Sequence, residues 1–218
     1  MSPPSARTRV KRLAELARYD AATLHAIVDA SYLCHIAFHD GSSSHCIPTA
    51  CWRDGERLYV HGSNGGRLVK LLGSGRQVSV AITLMDGLVL AKSAFNHSMN
   101  YRSAVIYGSF EAVAGEAEKR RLMDVFMHKI APGREHDARP GNDKEFAATT
   151  LLALPLNEAA AKVRTGGPQD DAEDLDLPVW AGVLPLLLQP QAPVAAPHST
   201  VPAPAYVTGW HGRSPLPR

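Results

Sequence analysis

Cysteine is scarce in this chain, and the usual metal-binding patterns are missing. The 218 residues include three cysteines, Cys34, Cys46 and Cys51, without a C-x-x-C pair, and ten histidines without an H-E-x-x-H pattern. An odd number of unpaired cysteines argues against a disulfide framework and against a structural zinc site. The sequence therefore predicts no metal site, and we expect reduced, buried thiols.

An excess of charge of one sign is also lacking. Lysine and arginine number 23 against 21 aspartate and glutamate, so the net charge is +2. This balance excludes the basic surface of a general nucleic-acid binder, and no nucleic-acid partner is expected. The chain contains neither a G-x-x-x-x-G-K-[ST] loop nor a G-x-S-x-G elbow. Their absence excludes a P-loop nucleotide hydrolase and leaves no signal for a serine hydrolase.

No segment has the pattern of a signal peptide or a membrane span. Charged residues such as Arg7, Lys11 and Glu15 interrupt the N-terminal region. The charge-free stretch from Pro178 to Gly212 carries seven prolines, which would break any helix. We expect a cytoplasmic protein with no membrane partner, whose Pro-rich C-terminal region lies extended on the protein surface.

The patterns that are present predict a mainly β protein with helices, of the α+β class. Two helices are expected before the first strand, one over residues 8–18 and one capped by Asp20. Alternating apolar residues predict strands at 32–38, 45–52, 57–61, 77–85, 88–94 and 101–113, and a last strand at 151–156 and 159–164. The first three strands should form an antiparallel meander.

Turn and helix signals complete this prediction. Asp54-Gly55 is typical of a tight hairpin, and Gly108 is expected to be a bulge or bend. Residues 67–72 have helical spacing and end at Gly73. The strongest helix pattern covers residues 116–130, where the apolar stripe consists of Leu122, Met123, Phe126, Met127 and Ile130.

The first candidate site is a small-residue turn that leads into a basic helix. His61, Gly62 and Ser63 end a strand, and Arg67 and Lys70 lie one helical turn apart. Free backbone N–H groups, small residues and cations are what an anion site needs. On spacing alone, an ordinary loop followed by a solvated helix face explains the segment equally well.

Two further segments are candidates for binding a flat ligand. Pro48 lies within a predicted strand, where it should break the hydrogen-bond ladder and leave room beside small residues. Tyr101 and Arg102 lie where a polar loop enters a long strand, which can direct them into a cavity. A surface arginine beside an amphipathic tyrosine is the simpler interpretation of this second segment taken alone.

Together and in this order, the segments resemble the flavin-nucleotide-binding branch of the pyridoxamine-phosphate-oxidase-like family, which includes nitroimidazole-resistance proteins. The similarity covers Arg18 to Leu186, and its motifs are Arg18-Tyr19-Asp20, Ile47-Pro48-Thr49, Asp54-Gly55, the run 58–63, Asn100-Tyr101-Arg102-Ser103 with Gly108, and the run 180–185. The resemblance implies an FMN-binding split β-barrel at 31–165. It follows an N-terminal helical segment at 1–30 and precedes a tail at 166–218 that packs on the barrel or on a partner subunit.

The resemblance also implies a homodimer with FMN between the two barrels, and it names the residues that contact the cofactor. The flavin ring is expected along Ile47, Pro48, Thr49 and Ala50. The phosphate end is expected at His61, Gly62, Ser63 and Arg67, with Lys70 beside them. The strand that reaches the cofactor carries Tyr101, Arg102 and Ser103.

The resulting hypothesis is an FMN-dependent oxidoreductase that acts on an unknown small molecule. No catalytic side chain is identified, and the late basic residues that bind pyridoxamine phosphate in true oxidases are missing, which argues against that substrate. The alternatives are a flavin carrier or sensor without a substrate, a haem-binding split barrel, and a purely structural dimer. The sequence does not separate FMN from FAD.

Overall fold

The computed structural model describes residues 2–210, and within them the chain forms two antiparallel sheets and six helices. The helices are α1 (Ala21–Ala30), α2 (Arg67–Leu72), α3 (Glu116–Ile130), α4 (Arg134–Asp137), α5 (Asp143–Ala147) and α6 (Ala205–Thr208). The strands are β1 (Ala17–Arg18), β2 (Leu33–His39), β3 (Ser44–Ala50), β4 (Trp52–Asp54), β5 (Arg57–Ser63), β6 (Gln77–Leu90), β7 (Ser98–Ser109), β8 (Glu111–Ala112), β9 (Thr149–Pro155), β10 (Ala159–Arg164) and β11 (Gly182–Pro185). The predicted antiparallel α+β class is confirmed.

The chain crosses between the two sheets at Cys51. The larger sheet has the order β1-β10-β7-β6-β2-β3, with β11 added to β6, and the smaller has the order β4-β5-β9-β8. The prediction of one strand over 45–52 is wrong, and so is the three-strand meander. Cys51 donates its N–H to Tyr32 O at 3.1 Å, after which the chain enters the second sheet. The bend buries Cys51 fully.

Other strand predictions also change with the tertiary structure. Residues 77–85 and 88–94 were expected as two strands, but β6 is one strand whose register shifts between Met85 and Gly87. The β2–β3 pairing continues through Pro48, so the ladder is not broken. Because β3 is an edge strand in the described structure, the missing N–H of Pro48 costs no ladder bond there.

Two glycines explain local backbone features. The Asp54-Gly55 hairpin is confirmed, since Asp54 pairs with Arg57 and Gly55 has a φ of +55°. Gly108 is not at a bulge, because it pairs regularly with Val78. Instead, a Cβ at Gly108 would lie 2.8 Å from Leu154 Cδ1, so the glycine lets the two sheets approach each other.

The helix predicted over residues 8–18 is wrong. This segment contains a 3₁₀ turn at Ala14–Leu16 and the short strand β1, and Leu13 has a φ of 54°. Tertiary contacts outweigh its helical propensity, because Tyr19 Oη accepts from Val10 N and Arg7 Nε donates to Glu158 at 2.7 Å.

The cap predicted for α1 is confirmed. The Asp20 carboxylate accepts from Thr23 N at 2.8 Å. The apolar residues of α1 pack into the main core, and those buried are Leu24, Ile27 and Val28.

The main core lies between the sheets, and a second cluster lies between the smaller sheet and α3. Leu122 and Phe126 of α3 belong to this second cluster with Trp52 and Tyr59. The predicted stripe is wrong at its end, because Ile130 is 42% exposed while Lys129 is buried. The Lys129 ammonium donates to Val28 O at 2.9 Å, which provides a partner for a buried charge.

The C-terminal region adds β11 to β6 and then runs mostly without regular structure to α6. No helix in residues 2–210 is long and apolar enough to cross a membrane. The residues of the predicted tail from 211 to 218 lie outside the described part of the chain.

Candidate functional site

The turn from Gly62 to Arg67 is shaped by packing between β5 and α2. A Cβ at Gly62 would lie 2.6 Å from Val69 Cγ2, so only glycine lets the helix approach the strand this closely. Asn64 N donates to Ala148 O at 3.0 Å and Gly66 N to Ser63 O at 2.8 Å. These bonds hold the turn in place beside α2.

Arg67 is an exposed cation with one acidic partner in the described structure. Its Nη2 lies 2.7 Å from Asp40 Oδ2, and its side chain is 63% exposed. Asp40 also accepts from the backbone N–H groups of Ser42 and Ser43, and His45 Nε2 lies 2.8 Å away. These bonds hold the pKa of the Asp40 carboxyl far below its usual value. Exposed ion pairs are weak, so a ligand can recruit Arg67 from Asp40.

Three cations surround one open cavity of about 440 Å³ beside α2. Its lining consists of Gly65, Arg67, Lys70, Leu71, Ser74 and Arg76. Arg67 and Lys70 are predicted site residues that the structure brings together. Arg76 was missed by the sequence analysis, although the Gly73-Ser74-Gly75 turn that follows α2 is the signal that directs the chain back past the helix.

His61 does not join this cavity. Successive side chains of a strand point to opposite faces, so His61 packs toward α3 while Gly62 packs toward α2. The His61 ring centroid lies 5.7 Å from that of Trp52 and 4.9 Å from that of Phe126. Burial lowers the pKa of His61, and its Nδ1 has no hydrogen-bond partner within residues 2–210. Ser63 is exposed at the end of β5.

The four residues predicted along the flavin ring divide between the two faces of the sheet. Ile47 packs against the main core, whereas Pro48 is exposed on the outer face, opposite His35 on β2. Thr49 is half-buried, and Ala50 packs against the Trp52 cluster.

The outer face of β2 and β3 carries no Asp, Glu, Lys or Arg. It exposes Leu33, His35, Cys46 and Pro48. Cys46 was expected to be buried, but as an outward-facing residue of an edge strand it is exposed. Such a face is able to cover a planar ring.

Strand alternation also separates the residues predicted on β7. Arg102 forms a bidentate pair with Asp86, at 2.9 Å and 2.7 Å, and its side chain is 12% exposed. Arg102 Nη1 is buried without a hydrogen-bond partner in the described structure. Tyr101 lies on the other face, as does Ser103, whose Oγ donates to Lys162 O at 3.4 Å.

A larger cavity of about 560 Å³ lies at Arg102. It is formed where the C-terminal region passes the β6 bulge, and it is lined by Ala30, Tyr32, Thr83, Leu84, Met85, Asp86, Arg102, residues 186–190 and Trp210. The acidic partner Asp86 was missed by the sequence analysis, because only the bulge turns it toward Arg102. A cavity of this size, with a mainly apolar lining and one charged pair, is typical of small-molecule sites.

Comparisons with known proteins agree with this fold. The model of a family described as pyridoxamine 5′-phosphate oxidase matches residues 20–163. A flavocytochrome from Azotobacter vinelandii is 40% identical, with a TM-score of 0.90, over 96% of this chain and 98% of that chain. An FAD and haem binding protein from Mycobacterium smegmatis is 34% identical, with a TM-score of 0.86, over 90% of this chain and 98% of that chain.

A more distant structure has the same fold. It is a supposed 5-nitroimidazole antibiotic resistance protein from Bacteroides thetaiotaomicron, 20% identical with a TM-score of 0.57, over 67% of this chain and 86% of that chain. Comparison with curated proteins gives no match.

Proposed function

Since the chain belongs to the pyridoxamine 5′-phosphate oxidase family, a family of flavin-binding split barrels, we propose that it is a flavin-binding redox protein that also binds haem. The observation that carries the proposal is the similarity, over nearly the full length of both chains, to a flavocytochrome and to an FAD and haem binding protein. The second of these relatives, the FAD and haem binding protein, favours FAD over the FMN expected from the sequence. The predicted family resemblance itself is confirmed.

The side chains fit a flavin in three respects. The outer face of β3 offers the exposed surface around Pro48 for a ring, and Arg67 and Lys70 offer cations for phosphate. Arg102 carries an N–H without a partner in the described structure. These residues would hold the flavin, which when bound would supply hydride chemistry and the single-electron chemistry that haem iron requires.

The outer face of β2 and β3 also supports the proposal of a homodimer in which a second copy covers the flavin. The face exposes the apolar residues Leu33 and Pro48 without an Asp, Glu, Lys or Arg among them, and depletion of charged residues is typical of the core of protein interfaces. Light scattering on the purified protein measures its mass, and a monomeric mass under conditions where flavin stays bound contradicts the dimer.

Two histidines are the candidates for an axial haem ligand. His35 is exposed on the outer sheet face, and its ring makes no hydrogen bond in the described structure. His61 has an unpartnered Nδ1 inside the aromatic cluster. A neutral imidazole nitrogen with no competing partner is a suitable ligand for haem iron.

The test is the visible spectrum of the purified protein, followed by chromatography of the released cofactors. Flavin bands with a Soret band and released FAD are expected. Released FMN without a Soret band contradicts the flavocytochrome proposal, and a colourless protein that binds neither added cofactor contradicts the whole assignment.

The haem ligand is tested with His35→Ala and His61→Ala, with His128→Ala as the control because His128 contacts Glu135 on the surface. Loss of the Soret band with retained flavin identifies the ligand. Retention of the band in both variants rules out both candidates.

The cavity at Arg102 supports a further part of the proposal, namely that the flavin oxidises or reduces a small molecule. Its charged pair and apolar lining suit an amphipathic substrate with an anionic group. Screening hydride donors and acceptors with the flavin-loaded protein tests this. Slow turnover with all of them favours the flavin carrier instead.

A further inference from the structure

We propose that Arg67, Lys70 and Arg76 together bind a diphosphate and thereby select a dinucleotide flavin over a mononucleotide. This inference rests on the proposed function, because it concerns the phosphate end of the same cofactor. The three side chains line a single open cavity of about 440 Å³. The family resemblance accounts for Arg67 and suggests Lys70, whereas Arg76 comes from the structure alone.

The backbone brings the third cation to the first two. Arg67 and Lys70 lie one turn apart on the same side of α2. The chain then reverses through Gly73 and Gly75, the latter with a φ of +77°, and this places Arg76 at the edge of the same cavity. Arg76 is held there by a hydrogen bond from Nη1 to His39 O at 2.8 Å.

The charges around the cavity do not cancel. Arg67 pairs with Asp40, whereas Lys70 and Arg76 have no carboxylate within ion-pair distance in residues 2–210. Three cations against one carboxylate leave two positive charges. A diphosphate diester and an ionised phosphate monoester each carry about two negative charges, so the placement of the cations, and not their number, has to select between them. A single phosphate group contacts cations around one centre only. Three cations spread around an open cavity instead suit two linked phosphates.

Release of Arg67 toward a ligand leaves Asp40 satisfied. Its carboxylate keeps the backbone N–H groups of Ser42 and Ser43 and the contact with His45. The ligand therefore gains a guanidinium without leaving an unpaired carboxylate behind. This arrangement makes the site available to an anion at little structural cost.

The experiment is equilibrium dialysis of the full-length protein against FAD, FMN, ADP and inorganic phosphate. The variants are Arg76→Met, Lys70→Met and the control Arg57→Met, whose guanidinium contacts Glu111 on another surface. We expect Arg76→Met to weaken FAD and ADP binding about tenfold and FMN binding by much less, with no effect of the control. Thermal unfolding checks that each variant is folded, and all three substituted residues are exposed.

The outcomes separate this inference from the proposed function. The diphosphate site is overturned, while flavin binding stands, if Arg76→Met weakens the binding of FAD and FMN equally or weakens neither. It is also overturned if inorganic phosphate displaces ADP as well as it displaces FMN. Absence of flavin binding together with Arg76-dependent ADP binding supports the diphosphate site and refutes the flavin assignment.

Discussion

Replacement of Gly62 by alanine tests whether this glycine serves packing or ligand binding. The added Cβ would lie 2.6 Å from Val69 Cγ2, a distance that forces the helix or the strand to move. Gly62 does not have a positive φ, so backbone strain does not enter. The effect of Gly62→Ala should therefore be purely steric.

The magnitude follows from the packing of Val69, which is 9% exposed. Inserting a methyl group into a packed core costs about 1–3 kcal/mol of unfolding free energy. Truncation by Val69→Ala costs about 1–3 kcal/mol through lost burial and a cavity, but it also removes the methyl group that blocks alanine at position 62. The double variant should therefore be about as stable as Val69→Ala alone.

The assay is urea unfolding of wild type, both single variants and the double variant, combined with the dissociation constant for FAD. We expect a coupling equal to the cost of Gly62→Ala alone, about 1–3 kcal/mol, between the two sites. Effects that add to within about 0.5 kcal/mol refute the steric argument. Unchanged stability with a large loss of FAD affinity instead assigns Gly62 to close phosphate approach.

Three more perturbations test other parts of the structure. Burial lowers the pKa of His61, so the unfolded state takes up the proton first and stability falls as the pH drops below about 6.5, the ordinary histidine pKa. His61→Phe should flatten this slope in urea unfolding, and an unchanged slope contradicts the argument. Arg7→Gln should release the N-terminal segment from Glu158 and speed backbone hydrogen exchange there, whereas unchanged exchange means that other contacts hold it. Lys129→Ala removes a buried charged donor from Val28 O, which then keeps only its bond from Ser31 N. This should cost about 1–3 kcal/mol in urea unfolding, and a neutral effect argues against a stabilising role of the buried ammonium.

Several elements were predictable because their signals are local. The Asp20 cap needs only its own carboxylate and Thr23 N, and the hairpin at Gly55 needs only a residue that tolerates positive φ. Helix α3 carries acids at its start and basic residues at its end. Patterns of this kind act within a few residues, so they can be recognised without knowing what packs around them.

The site was predicted only in part, because alternation decides which side chains share a face. Arg67 and Lys70 line one cavity, whereas His61 faces α3 and Arg102 points away from Tyr101. Arg76 and Asp86 were missed because a reversing turn and a register shift bring them into their cavities. Neither the turn after α2 nor the register shift in β6 carries a sequence motif that indicates ligand binding.

The strand-rich class, the caps and turns, and the family motifs can be read from neighbouring residues, because each is encoded locally. The change of sheets at Cys51, the absence of a helix at residues 8–18 and the burial of Lys129 are instead set by tertiary contacts. These outcomes depend on partners far along the chain, such as Glu158 for Arg7. Long-range burial and hydrogen bonding then outweigh the local preference of each segment.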